Sequence, residues 1–240
     1  METAVRLFAH LACRPELEID LLRTALLIAE IEHGEIDVDH WVDEVEQLSQ
    51  SADAFLRHRN AKSDSERVTT LLYYMHTVEN FRGNPDDYYD PRNSFLNDVL
   101  TRRQGIPITL SLIWMEVGQR LGLNAQGIAF PGHFLLQVRS RMGRIIVDAY
   151  NGHLVAEADL RDLYRIATGR DVHPPAEVLR PAKKSEILIR MLANLRAIYT
   201  SRGDTLRLHS VLERLRALSP SIDIEDELGQ APSERSRLLN

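Results

Sequence analysis

The stretch GIPITLSLIWMEVGQRLGL, Gly105 to Leu123, decides the fold. Pro107 stands where a proline suits a first helical turn, because its fixed φ is preorganised and its missing N–H is not needed there. Gly122 stands where such a helix ends. Between them ITLSLIWMEVGQRL is apolar on nearly every side, which predicts a helix covered all round. The period then changes. AQGIAF (125–130), HFLLQVR (133–139) and RIIVDAY (144–150) read as strands, the last two joined by a hairpin over SRMG (140–143). A fully buried helix followed by antiparallel strands makes the fold class α+β.

Outward from this centre the chain is mostly helical. Residues 1–82 form a helical N-terminal block: ELEIDLLRTALLIAEIEHG predicts one helix ending at Gly34, DVDHWVDEVEQLSQSADAFLRHR a second, and Ser63 with Glu66 a capping-box start for a third. RGNPDDYYDPRNS (82–94) is turn chemistry, and its Asp86, Asp87 and Asp90 lack the ligand spacing and distal Glu of a calcium loop. SFLNDVLTRRQG reads as a short helix closing at Gly105. Helix returns near 156–168, and 169–184 is linker-like. Residues 185–220 read as helix, Gly203 turn and second helix stopping at Pro220. The polar tail 221–240 is expected to fray. The division is therefore 1–82, a core over 83–180, a helical hairpin over 185–220, and the tail.

Composition excludes several function classes. The chain has 240 residues, 44% hydrophobic and 27% charged, as a globular protein does. A net charge of -6 leaves no basic surplus for nucleic acid or anionic lipid. One cysteine, Cys13, rules out a disulfide framework or thiolate cluster and suits a reducing cytoplasm. The start lacks the pattern of a signal peptide, and no window approaches ~18 uninterrupted apolar residues, so no membrane association is expected.

The candidate chemistry lies on the hairpin. Pairing Arg139 with Arg144 across SRMG sets His133 opposite Tyr150 and Leu135 opposite Asp148, so His133 and Asp148 are diagonal neighbours on one face. A carboxylate beside an imidazole fixes its tautomer and stabilises its charged form, as in a nucleophile–base–acid triad. It can equally be a packed structural pair, and spacing alone leaves both readings open. The other histidines form no set of metal-ligand spacing, and neither metal nor cofactor is expected.

The run from NPDDYYDPRNSFLNDVLTRRQGIPITLSLIWMEVGQRLGL through PGHFLLQV to IIVDAYNG resembles the transglutaminase-like superfamily. More narrowly it is similar to the SirB-type branch, which adds a C-terminal tetratricopeptide-like segment. The resemblance covers roughly residues 80–220. It implies a papain-like core in which a buried helix packs on an antiparallel sheet, with His133 and Asp148 in the positions of the family's His and Asp. In active members a cysteine follows two residues after a glycine at the helix start, and a leucine-glycine pair stands near the helix end. Gly105 and Leu121-Gly122 match these, which puts Pro107 where the nucleophile stands. A proline supplies none.

Three residues could substitute: Ser111, one turn along the helix, Thr109, and distant Cys13. A hydroxyl on a buried helix more often bonds the carbonyl four residues back, and a lone cysteine beside apolar neighbours is usually inert packing. Leu192, Leu195, Tyr199, Gly203, Leu212 and Pro220 fall where one 34-residue-type repeat wants bulk, a turn and a stop. Leu208 and Leu215 stand where that repeat has alanine, and one unit cannot bury its own apolar face, so docking on the main domain is expected.

Three functions follow as expectations. The first is a non-catalytic transglutaminase-like protein binding a peptide or protein, in a groove lined by Pro107, Thr109 and Tyr150 or along the hairpin. The second is a hydrolase or acyltransferase on amide bonds, using His133 and Asp148 with a substitute nucleophile such as Ser111. The third is a structural protein whose groove is closed.

Overall fold

The computed structural model describes residues 2–140, 143–221 and Ile224. The N-terminal region is helical but more broken than the spacing predicts. After α1 (Glu2–Ala12), the expected single helix over ELEIDLLRTALLIAEIEHG divides into a 3-10 turn (Glu16–Glu18), α2 (Leu21–Leu26), a 3-10 turn (Leu27–Ala29) and α3 (Glu30–His33). Asp20 explains the first break. Its backbone is extended and its carboxylate accepts from Arg23 N at 3.0 Å, so it starts a helix instead of continuing one. α4 (Val38–His58) follows an Asp37 cap, and Ser63 and Glu66 form the expected capping box of α5 (Asp64–Tyr73), which ends in a π-helical turn.

The short helix before the central one, α6 (Leu96–Arg102), does not close at Gly105. It closes at Arg103, whose φ of 58° is left-handed. That conformation is held through the Arg103 side chain, which donates to Leu100 O at 2.7 Å, pairs with Glu79 at 3.3 Å and lies over the Phe81 ring. Gly105 instead joins β2 (Gln104–Gly105), paired in parallel with β1 (Arg82–Gly83). The expected loop over 82–94 thus begins as a two-residue strand.

The central helix, α7 (Pro107–Arg120), starts with proline in its first turn and is buried from Pro107 to Gly118 except at Glu116. It packs on β3 (Asn124–Ile128) and β4 (Leu135–Ser140) on one side and on α4 on another. β5 (Gly143–Asp148) pairs with β4 in the expected register, Arg139 opposite Arg144. The turn residues Arg141 and Met142 lie outside the described residues. A short β6 (His153–Leu154), absent from the sequence reading, extends the antiparallel sheet to the order β3-β4-β5-β6.

Strand alternation gives the sheet two dry faces. Leu136, Val138 and Val147 join the core under α7, while Leu135 and Ile146 join a smaller cluster with Phe130, Leu160 and Tyr164 under α8 (Glu157–Thr168). Gln137, buried on that second face, is satisfied by its cross-strand neighbour Gln126 at 3.1 Å.

The C-terminal hairpin is α9 (Lys184–Arg202) and α10 (Thr205–Leu218), turning at Gly203 with φ +64°. Its inner face docks on the main body. Leu188, Met191, Leu192 and Leu195 are buried in the same core as α7. Arg214 of α10 is 2% exposed and faces Glu30 of α3 at 3.7 Å, while Arg207 and Tyr199 both reach Glu32. Of the polar tail, only Ser221 and Ile224 are among the described residues, so its expected fraying lies outside them.

Candidate functional site

The Pro131-Gly132 turn positions His133. Gly132 has φ +66°, and the His133 N–H donates to Phe130 O at 3.1 Å. Proline followed by a positive-φ residue is the type II pattern, which needs glycine at that place. His133 therefore stands in the turn just before β4, two residues outside the strand where the hairpin register sets it. From there Nε2 meets Oδ2 of Asp148, the last residue of β5, at 2.8 Å.

Asp148 is 1% exposed and fully engaged. One oxygen accepts from the N–H groups of Tyr150 (2.9 Å) and Asn151 (3.0 Å), and the other from His133 and from the Asn151 side chain (2.8 Å). Burial on its own raises the carboxyl pKa. The His133 hydrogen bond and charge, with the Asn151 donors, outweigh burial and hold the group below the ordinary carboxylate value. Asp148 is thus a fixed anion. Because Nε2 faces it, the imidazole's Nδ1 is left without a hydrogen-bond partner among the described residues.

A His–Asp pair is not diagnostic alone. His33 makes the same 2.8 Å contact with Asp98 near the surface. What sets His133 apart is the pocket it lines. That pocket measures ≈ 30 Å³, and its walls include Tyr88, Pro107, His133, Arg190 and Asn194. Pro107 thus stands at the head of α7 in the same pocket as the imidazole. The space is far below the ~300 Å³ and more of ordinary ligand sites. Cavities of ≈ 340 and ≈ 660 Å³ occur elsewhere on the protein.

The other sequence candidates are placed differently. Ser111 is fully buried, and its Oγ donates across to Phe134 O at 3.4 Å instead of back along the helix. Thr109 is fully buried, with its hydroxyl donating to Asn93 O at 2.8 Å and accepting from Ile106 N–H. It locks the start of α7 and does not line the pocket. Tyr150 meets the His133 ring edge-on at 6.1 Å; Gly83 makes room for it, since a Cβ there would fall 2.3 Å from Tyr150 Cζ. Cys13 is exposed at the end of α1 and donates to Ala217 O of α10.

Sequence reading missed three contributors. Asn151 was legible in the Asp-Ala-Tyr-Asn-Gly turn, where Asp residues commonly accept from N–H groups just ahead. Arg190 and Asn194 come from α9 and have no local signal. Arg190 clamps both ends of the His133 turn, donating to Phe130 O at 3.0 Å and His133 O at 2.5 Å. Its guanidinium is driven below the ordinary arginine value by burial, which nearby Tyr88 partly opposes.

A family model described as the transglutaminase-like superfamily matches residues 34–193, which takes in α4 through the first half of α9 and every wall of the pocket but Asn194. The chain belongs to the transglutaminase-like superfamily. Among its relatives are two bacterial UPF0162 proteins. That of Xylella fastidiosa (strain 9a5c) is 34% identical over 221 residues, covering 90% of this chain and 77% of the relative. That of Pseudomonas aeruginosa is 32% identical over 212 residues, covering 88% and 77%. A shorter segment of 73 residues is 40% identical to mouse F-box only protein 21, covering 30% of this chain and 12% of that protein. No solved structure matches the chain. The helix–sheet arrangement fits a transglutaminase-like core. Among the described residues no helix is long and apolar enough to cross a membrane, and no three His, Cys, Asp or Glu side chains are grouped to hold a metal ion.

Proposed function

We propose that this superfamily member is a non-catalytic protein that binds a peptide or protein partner, with the pocket beside His133 receiving one small group of that partner. One observation carries the reading: Pro107 lines the same pocket as His133, at the helix position that the family resemblance assigns to the nucleophile. A proline has no atom to acylate. The hydroxyls of Ser111 and Thr109 are buried and donate to main-chain carbonyls, so neither supports a substitute nucleophile. The SirB-type placement belongs to the same proposal, and the α9–Gly203–α10 hairpin supports it as one tetratricopeptide-like unit. The intact 2.8 Å His133–Asp148 bond is what favours the rival reading, a hydrolase or acyltransferase on amide bonds.

Acylating and phosphonylating probes followed by mass spectrometry separate the two. The expected result is no transglutaminase, amidase or protease turnover and no adduct on Ser111 or Thr109. Cys13 is exposed and is expected to react with alkylating agents at the same rate in wild type and His133→Ala. An adduct on any of these three residues that disappears in His133→Ala overturns the non-catalytic reading.

A further inference from the structure

Arg190 is a half-buried guanidinium with unusual surroundings. Arg214 faces Glu30 at 3.7 Å, but no carboxylate among the described residues lies within ion-pair distance of Arg190. Two of its five N–H donors are used on main-chain carbonyls and its guanidinium lies 5.6 Å from the Phe134 ring centroid, so the charge has no anionic partner and donors remain. It lines the ≈ 30 Å³ pocket together with Pro107 and Ile108, the opening residues of the 14-residue helix α7. First-turn N–H groups of a helix have no intrahelical acceptor, and that end carries the positive pole. His133 brings an Nδ1 without a described partner, and Asn194 brings a side-chain amide. Asp148, the nearby anion, is already satisfied by its four donors.

These features converge on one small volume. At ≈ 30 Å³ the space is wide enough for a small polar end group and too small for a whole side chain. We infer that the pocket between the head of α7, His133 and Arg190 is a carboxylate-binding site, seating the two oxygens of a chain-terminal or side-chain carboxylate. The inference rests on the peptide-binding reading above and names the group recognised. The charge of Arg190 selects an anion, and the small volume limits it to an end group.

The test is an NMR titration of the full-length chain with four probes: N-acetyl-triglycine, N-acetyl-Gly-Glu-Gly-amide, N-acetyl-triglycinamide and inorganic phosphate. At least one carboxylate peptide is expected to shift the Ile108 amide and the Arg190 side-chain signals saturably. Triglycinamide is expected to bind at least tenfold more weakly, and the preferred carboxylate peptide identifies the source as chain end or side chain. Arg190→Gln is expected to weaken the carboxylate peptide at least tenfold. Arg190 also clamps a turn, so Asn194→Asp serves as a second variant. It places an internal carboxylate one turn from Arg190, and is expected to weaken the peptide as much while raising the melting temperature. Equal response to the amide, no response to either carboxylate peptide, tighter binding of phosphate than of both, or undiminished binding by Asn194→Asp would each overturn the inference. Equal binding of the amide removes the carboxylate site and leaves the peptide-binding reading standing. A His133-dependent covalent adduct removes that reading itself.

Discussion

Replacing Asp148 by alanine is expected to lower the free energy of unfolding by about 4 kcal/mol. The carboxylate is buried and accepts from two main-chain N–H groups, the Asn151 amide and the His133 imidazole. Alanine leaves all four donors without an acceptor in a site with little room for water. Asparagine keeps one oxygen able to serve the N–H groups of Tyr150 and Asn151, and is expected to cost only about 1–2 kcal/mol. The pH dependence follows from the sign of the shift. Asp148 is held below its unfolded value, so its contribution is complete above the unfolded carboxylate pKa of ~3.9. It is lost as pH falls through the lower folded value. Urea unfolding should therefore show wild type and Asp148→Asn converging as the pH drops below ~4. An Asp148→Ala cost under about 1 kcal/mol would mean that this carboxylate does not organise the site.

The second large effect is expected at Leu192, where alanine should cost about 3 kcal/mol. Leu192 is fully buried on the inner face of α9, in the same core as Trp114 and Leu112 of α7. If the C-terminal hairpin were a separate module, its truncation would melt the hairpin alone and leave the sheet unaffected. A core shared between α7 and α9 predicts one cooperative transition, with near-UV and far-UV signals shifting together. Two separated transitions would contradict it. The consequence for binding is direct: the apolar inner faces of α9 and α10 belong to the core, so a partner meets the hairpin on its outer faces or at the pocket, through Arg190 and Asn194.

Elements whose physics is local were legible in the sequence. Pro107 and Gly122 bracket α7 because the constraints of proline and of left-handed glycine act on the residue itself. The β4–β5 register followed from one short turn, and the Pro131-Gly132 turn just ahead of β4 sets His133 against Asp148. Features with no local signature were missed. Two-residue strands such as β1, β2 and β6 have no period to detect. Arg103 ends α6 in a conformation expected of glycine, held by contacts with Glu79 and Phe81 that lie far back in the chain. Asp20 restarts a helix inside a stretch whose apolar spacing looks continuous. Arg190 sits 57 residues beyond the histidine it clamps, and only the docking of α9 brings it there. That docking also narrows the pocket to a size that the residues of the core alone could not have foretold.

The central claim is that Pro107 occupies a nucleophile position facing an oriented imidazole. The direct measurement is the pH dependence of iodoacetamide alkylation of Pro107→Cys, made in a Cys13→Ser background so that only the new thiol reacts. Cysteine restores an N–H in the first turn, where the helix leaves it unbonded in any case. The helix terminus and His133 both stabilise thiolate. The rate is predicted to inflect at least one pH unit below the ~8.5 of an ordinary thiol, and the inflection is predicted to move up in the additional His133→Ala variant. An inflection at the ordinary value, unchanged by loss of His133, would contradict the claim.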